Sequence, residues 1–257
     1  MSEKKSLVHL VEYPMTRREL SELSEDQQAV LAILSYAVSE ANVFAKLYIA
    51  AAQDLIDDKV IDSAASIQRF VVLRSWSAKL FEVEDFLLLG GKKKKTKDPE
   101  IIGLAEASLE EFKALREQEG YQISRDMRNE ATSHYSFSAA KKNLPFVSDH
   151  AVCNMYLHEQ NGNSFYPLGE EVMFIGRLNR RGANLDKEET AALLGIWMQW
   201  NISANKWLSE THLRFVRDLV LKKFEKKYAR KRAFWVPSEH VATNSEARVP
   251  VFYRKEY

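Results

Sequence analysis

The sequence predicts a mainly helical, soluble protein: an up-and-down helical bundle with a small β-hairpin insertion and additional long C-terminal helices. Glycine (9) and proline (6) are scarce among the 257 residues, which favours long helices over a turn-rich β fold. Apolar residues also recur at helical spacing over most of the chain. No stretch approaches ~18 uninterrupted apolar residues, so we expect no membrane span.

The composition restricts the cellular setting and the kinds of partner. The formal net charge is only +1, so a surface that binds nucleic acid must be local. The single cysteine, Cys153, excludes an internal disulfide and is typical of a reducing compartment. The N-terminal residues are charged and lack an apolar core of signal-peptide length. We therefore expect a cytoplasmic protein.

The first two predicted helices provide most of the apolar surface. Ser24 followed by Gln27 is the pattern of a capping box, and the helix that it starts should run to about residue 57. A second helix is predicted over residues 63–89. It is apolar on too many sides to stand alone, so we expect it at the centre of the bundle.

Two more helices complete the predicted bundle. Gly90 and Gly91 end the second helix, and a solvated loop of lysines follows. Asp98 is a good cap for a third helix, with Pro99 at its first position and an end near Gly120. A fourth helix is predicted over residues 123–137.

After the fourth helix the hydrophobic period changes. Residues 151–157 and 171–175 have the composition of strands and flank Asn-Gly-Asn at 161–163, which predicts a β-hairpin inserted between helices. Residues 186–231 return to a helical pattern. Because one helix of that length is unusual in a globular domain, a break is expected near residues 209–212.

The predicted organisation has four parts. The last stretch, residues 234–257, is aromatic and contains two prolines, so it should form an extended arm docked on the core. The parts are an N-terminal segment (1–23), a helical core (24–140), a hairpin insertion (141–185), and C-terminal helices with the arm (186–257).

The fourth helix carries the residues best suited to chemistry. Arg128, Asn129 and His134 lie within seven residues of each other. An arginine can neutralise a phosphate through two parallel hydrogen bonds, and a histidine can move a proton near neutral pH. On an ideal helix His134 lies within about 20° of the apolar Met127 and Arg128 lies about 100° round, while Asn129 points away. The pattern favours phosphodiester chemistry that needs no metal.

A helical core that carries Arg-Asn, a short polar spacer and a histidine on its last helix resembles the HEPN superfamily, whose members often act as toxins or defence ribonucleases. The resemblance covers residues 24–140 and implies metal-independent RNA cleavage without a cofactor. It assigns proton transfer to His134, stabilisation of phosphate charge to Arg128, and orientation of the scissile group to Asn129. It also implies an RNA substrate, a homodimer with a composite site, and an antitoxin or regulatory protein as a partner.

Two other functions fit the same sequence. One is a non-catalytic helical module for dimerisation or protein interaction. The other is a nucleic-acid binder that uses a basic C-terminal helix with interleaved aromatic residues. The same basic run also fits a solvated helix end whose cations complement the helix dipole. The basic residues are Lys222, Lys223, Lys226, Lys227, Arg230, Lys231 and Arg232.

Other motifs are excluded or left as structural. His150, Cys153 and His158 match no standard zinc spacing, so no metal site is predicted. The lysines after Gly91 lack the glycine-lysine-serine/threonine order of a phosphate loop.

Acidic residues near the end of the second helix offer partners for the motif. Glu82, Glu84 and Asp85 are placed so that they could face the fourth helix and pair with Arg128. Such an ion pair is compatible with a purely structural role and with a catalytic role.

Overall fold

A computed structural model describes residues 5–52, 58–89, 95–128, 136–160, 162–182, 187–225 and 228–254. The mainly helical class is confirmed, together with one small two-stranded antiparallel sheet. In chain order the regular elements are β1 (Lys5–Glu12), α1 (Arg17–Leu20), α2 (Glu25–Ala51), α3 (Lys59–Leu87), α4 (Pro99–Arg116), α5 (Glu119–Met127), α6 (Phe137–Asn143), α7 (Pro167–Glu170), α8 (Gly176–Gly182), α9 (Lys187–Phe215) and β2 (Arg230–Pro237).

The predicted helix starts are formed by their predicted caps. Ser24 accepts a hydrogen bond from the backbone N–H of Gln27, whose side chain binds back to the Ser24 backbone, so α2 begins with a complete capping box. Asp98 caps α4 by accepting hydrogen bonds from the backbone N–H groups of Glu100 and Ile101, with Pro99 at the first position. These local signals fixed where the two helices begin.

The core is built around the long helix α9. Trp197 and Trp200 are completely enclosed, and Phe112 of α4 is enclosed beside them. The indole of Trp197 donates to Ser77 Oγ of α3 at 2.8 Å, and the indole of Trp200 donates to the Leu115 carbonyl at 3.1 Å. Because each buried N–H has a partner, these large side chains fill the core without leaving a polar group unsatisfied.

The predicted break in the last long helix is wrong. α9 runs through residues 209–212 and continues as a π-helical segment, Val216–Leu221. Within this region the Ser209 hydroxyl donates to the carbonyl of Asn205, four residues earlier in the same helix. Burial of Trp207 and Phe215 on either side holds the helix intact.

The predicted β-hairpin insertion is also wrong in its pairing. Residues Glu171–Ile175 are π-helical, between α7 and α8. Tyr156 instead forms a single antiparallel bridge with Phe165, and Gly162 turns the chain with φ of 90°. Short apolar runs do not distinguish a strand from a buried helical turn, and here Pro167 starts a helix that buries Val172 and Phe174.

The small sheet pairs two strands that lie far apart in the sequence. β1 pairs antiparallel with β2, from Lys5 opposite Pro237 to Glu12 opposite Arg230. No helix or strand was assigned to the N-terminal segment from the sequence, so β1 and α1 are additions. The prediction that the basic C-terminal segment is helical is wrong for its last residues. Arg230, Lys231 and Arg232 lie on strand β2. Pairing between residues more than 200 positions apart leaves no local signal in the sequence.

The chain after β2 is hydrogen-bonded to two other parts of the fold. The backbone N–H of Val249 donates to the Ala50 carbonyl at the end of α2, at 3.0 Å. Asn163 accepts from the backbone N–H of Tyr253 and donates to its carbonyl, both at 2.8 Å. The arm therefore ties the end of α2 to the loop between residues 156 and 165.

Among the described residues, α2 is the one helix long and apolar enough to cross a membrane by length and composition. α2 packs against α3 and α9 and buries Val30, Leu34 and Ala41.

The close packing of α5 on α9 gives a test of the fold. A Cβ at Gly120 would lie 2.5 Å from Cβ of Trp200 and 2.8 Å from the Ile196 carbonyl oxygen. We expect Gly120→Ala to lower the free energy of unfolding by about 1–3 kcal/mol, because the backbone of α9 must move. Gly103→Ala is the control: nothing lies within 4 Å of its added Cβ, and it should stabilise α4 by about 0.5–1 kcal/mol. Urea denaturation measures the free energy of unfolding of both variants. Equal changes in the two variants would contradict the close packing of α5 on α9.

Candidate functional site

Arg128 lies immediately after the last residue of α5 with helical backbone angles. One guanidinium nitrogen, Nη2, lies 2.7 Å from Asp85 Oδ2 of α3. The guanidinium carbon lies 5.8 Å from the centre of the Phe81 ring, and Phe81 is buried. A carboxylate and an aromatic face therefore fix the orientation of Arg128, while 29% of its side chain stays exposed.

Two further arginines share the surroundings of Arg128: the charges of Arg116 and Arg128 both act on Glu84, and those of Arg116 and Arg125 both act on Tyr121. Arg116, at the end of α4, donates from Nε to Glu84 Oε1 at 2.6 Å. Arg125 of α5 has its guanidinium carbon 5.8 Å from the centre of the Tyr121 ring. We call Arg116, Arg125 and Arg128, with Glu84 and Asp85, the arginine cluster. Three permanent positive charges against two carboxylates make this a surface that attracts an anion.

The predicted acidic partners divide between different cations. Asp85 pairs with Arg128, which confirms that part of the prediction. Glu84 pairs with Arg116 instead, and Glu82 lies 3.2 Å from Lys79 Nζ on its own helix. The carboxylates therefore connect α3 to both α4 and α5.

Burial dominates the electrostatics of Glu84. Burial raises the pKa of its carboxyl group, and the hydrogen bond and positive charge of Arg116 oppose that rise without cancelling it. The charge of Asp85 also raises the pKa of Glu84. Burial raises the pKa of the Tyr121 hydroxyl in the same region, with the charge of Glu84 adding to the effect. Tyr121, next to the arginine cluster, therefore stays protonated at neutral pH.

The raised pKa of Glu84 predicts a pH-dependent stability. The folded protein binds the proton of the Glu84 carboxyl group more tightly than the unfolded chain does. The stabilisation that follows from this is therefore fully present below the pKa of the unfolded chain. It is lost as pH rises through the folded pKa, above 4.5. We expect the stability of Glu84→Gln relative to wild type to increase between pH 4 and pH 7, measured by urea denaturation. A difference in stability between Glu84→Gln and wild type that stays constant over this pH range would contradict the assignment.

A buried ion pair lies next to the motif. Arg177 of α8 is 1% exposed, and its Nη2 lies 4.0 Å from Oδ1 of Asp126. Gln122 donates from Nε2 to both oxygens of the Asp126 carboxylate, each at 3.1 Å. Since Asp126 precedes Arg128 by two residues, the pair connects α8 to the end of α5.

The described residues include only part of the predicted site. Arg128 is among the residues that the structure describes, whereas Asn129 and His134 lie outside them. The predicted fourth helix is accordingly described as α5, Glu119–Met127, and as α6, which begins at Phe137. Lys226 and Lys227 of the predicted nucleic-acid site also lie outside the described residues.

The other predicted nucleic-acid contacts do not lie on one helix. Lys222, after the π-helical end of α9, is 2.7 Å from Asp218, and the salt-bridged Arg217 and Lys222 lower the pKa of Asp218 to about 2. Lys223 donates to the Glu22 carbonyl oxygen. Arg230 and Lys231 are exposed on β2, where Arg232 pairs with Glu12 at 3.0 Å. Neutralisation by Asp218 and Glu12 reduces the charge that this segment offers to a phosphate chain.

No metal site is formed by the described part of the chain. It contains no group of three or more histidine, cysteine, aspartate or glutamate side chains placed to hold an ion. Cys153 is exposed.

The sequence reasoning missed Arg116, Arg125 and Arg177. Arg116 and Arg125 lie near ends of predicted helices. A search for cations on either side of the motif would have identified them as candidate site residues. Arg177 has no local signal, because its burial depends on how α8 packs against α6.

Comparison with family models, with curated proteins and with solved structures found no match to this chain.

Proposed function

We propose that this protein is a metal-independent endoribonuclease of HEPN type that acts in defence, toxicity or RNA processing. The position of Arg128 carries this proposal. Its guanidinium is part-exposed and oriented by Asp85 and Phe81, six residues before His134 in the sequence. A guanidinium held in one orientation can stabilise a phosphate without a large reorganisation on binding.

The proposed reaction is a transesterification within the RNA. The ribose 2′-oxygen attacks the adjacent phosphorus, and its proton passes to a base. The bond from phosphorus to the 5′-oxygen breaks, and that oxygen leaves with a proton. The products are a 2′,3′-cyclic phosphate and a 5′-hydroxyl end. His134 serves as acid or base, a role worth about 10²- to 10⁴-fold.

Arg128 and its neighbours would stabilise the charge that develops on the phosphate. Arg128, Arg116 and Arg125 are the positive charges available for this role near the ends of α4 and α5. Asn129 orients the scissile group in this scheme. Two copies of the chain contribute their motifs to one composite site, which provides one histidine for each of the two proton transfers.

The direct test is cleavage of RNA without added metal. Wild type, Arg128→Ala and His134→Ala are purified and incubated with RNA in the presence of EDTA. Cleavage by the wild type and its loss in both variants support the proposal. Equal cleavage by all three proteins, or cleavage by none, would remove the catalytic claim.

Asp85 gives a second prediction, as a positioning residue for Arg128. Asp85→Asn removes the charge opposite Arg128 but keeps the side-chain shape, and the Asp85 side chain is 57% exposed, so the fold should tolerate it. We expect kcat to fall about tenfold, because the guanidinium loses a charge-assisted hydrogen bond that orients it. KM should change less. Glu82→Gln, on the same helix, is the matched control and should leave kcat unchanged.

A non-catalytic interaction module is the second candidate. The exposed side of α2 presents Ile33, Tyr36, Val43 and Leu47, each at least 40% exposed. Four large apolar side chains along one helix favour contact with another protein. A Val43→Glu, Leu47→Glu variant that dissociates an oligomer, together with a wild type inactive on RNA, would select this candidate over the ribonuclease.

A further inference from the structure

An apolar cavity lies away from the arginine cluster. Its volume is about 560 Å³, and three elements line it on one side while it stays open to solvent on the other: the N-terminal segment with α1, the first half of α2, and the π-helical segment after α9. None of the residues of the arginine cluster lines it. A volume of this size is in the range of sites for small molecules, about 300–1,000 Å³.

The inner surface of the cavity is almost entirely apolar. Leu31 of α2 and Val220 of the π-helical segment are buried and form part of the wall. Met15 and Leu20 close it from the N-terminal segment. Exposed alanines of α2, Ala29 and Ala32, leave room where larger side chains would fill the space. Such walls favour an apolar ligand body, which gains by leaving water.

A few polar groups converge on the same space. Arg17 donates from Nη1 to Gln28 Oε1 at 2.6 Å, and both side chains line the cavity. Ser35 also lines it, with its hydroxyl 2.9 Å from Nε2 of His212. Burial lowers the pKa of His212, so this pair is uncharged at neutral pH. Among the described residues that line the cavity, Arg17 is therefore the one with a charged side chain.

We propose that the cavity binds a small amphipathic anion, such as a medium-chain carboxylate. The apolar chain lies against Leu20, Leu31 and Val220, and the carboxylate pairs with Arg17. Gln28 holds the guanidinium at the wall in the orientation that receives the anion. This site is independent of RNA cleavage, because it uses other residues and other elements.

The experiment is a calorimetric titration of the full chain with decanoate, below its micelle-forming concentration, and with the neutral analogue 1-decanol. We expect saturable binding with one decanoate per chain, and about tenfold weaker binding of 1-decanol. Arg17→Gln should weaken decanoate binding about tenfold and leave 1-decanol binding unchanged. Arg18→Gln, an exposed neighbour outside the lining, is the matched control.

A second variant tests the cavity itself. Ala32→Trp places a large side chain in the cavity and should abolish binding of both molecules. Ala107→Trp, at an exposed alanine of α4, should bind both as the wild type does. Circular dichroism of each variant checks that the fold is kept. Equal affinity for decanoate and 1-decanol, no saturable binding of decanoate by the wild type, or unchanged binding by Ala32→Trp would each overturn the proposal.

Discussion

Replacing His134 by alanine is expected to lower the rate of RNA cleavage by about 10²- to 10⁴-fold, the usual contribution of a general acid or base. A histidine that moves the proton of the 2′-oxygen or of the leaving 5′-oxygen acts only during the reaction, so RNA binding should change little. Single-turnover cleavage measured beside RNA binding separates the two effects.

His150 provides the control for that experiment. It is an exposed histidine in the turn after α6, and His150→Ala should cleave RNA as the wild type does. Cleavage by His134→Ala within twofold of wild type would contradict the role given to His134. An equal loss in His150→Ala would point to an effect on folding instead.

The second large effect is expected on stability, at the buried pair of Arg177 and Asp126. Arg177→Met should lower the free energy of unfolding by about 3–5 kcal/mol, because it removes the positive charge opposite a buried carboxylate. Urea denaturation followed by circular dichroism measures the change. The loss should be smaller in the double variant Arg177→Met, Asp126→Leu, since both charges are then removed together.

A matched surface pair shows what burial adds. Lys206 lies 3.8 Å from Glu210 on α9, with 76% of its side chain exposed. Lys206→Met should change the free energy of unfolding by about 0.5 kcal/mol or less, as is usual for exposed pairs. If Arg177→Met costs no more than Lys206→Met, the buried pair does not support the end of α5.

The sequence was sufficient for features that are encoded locally. The caps at Ser24 and Asp98 placed two helix starts correctly, because a cap depends on residues within one turn. It was insufficient where distant segments decide. The pairing of β1 with β2 and the helical state of Glu171–Ile175 follow from tertiary contacts that local patterns do not encode.

The same division applies to the candidate site. The contact of Asp85 with Arg128 was one of three pairings expected from the acidic residues near the end of the second helix. The pairing of Glu84 with Arg116 and the burial of Arg177 were not anticipated. Those depend on the rotation of α4 and on the packing of α8, and a helical pattern fixes neither to within one residue.

The chemistry of the RNA ends tests the central claim most directly. RNA is incubated with wild type, Arg128→Ala and His134→Ala in EDTA, and the termini of the products are identified by mass spectrometry. The proposed transesterification predicts 2′,3′-cyclic phosphate and 5′-hydroxyl ends from the wild type, and neither variant should yield them above background. Products with 5′-phosphate ends, cleavage that requires a metal ion, or the same products from both variants would contradict it.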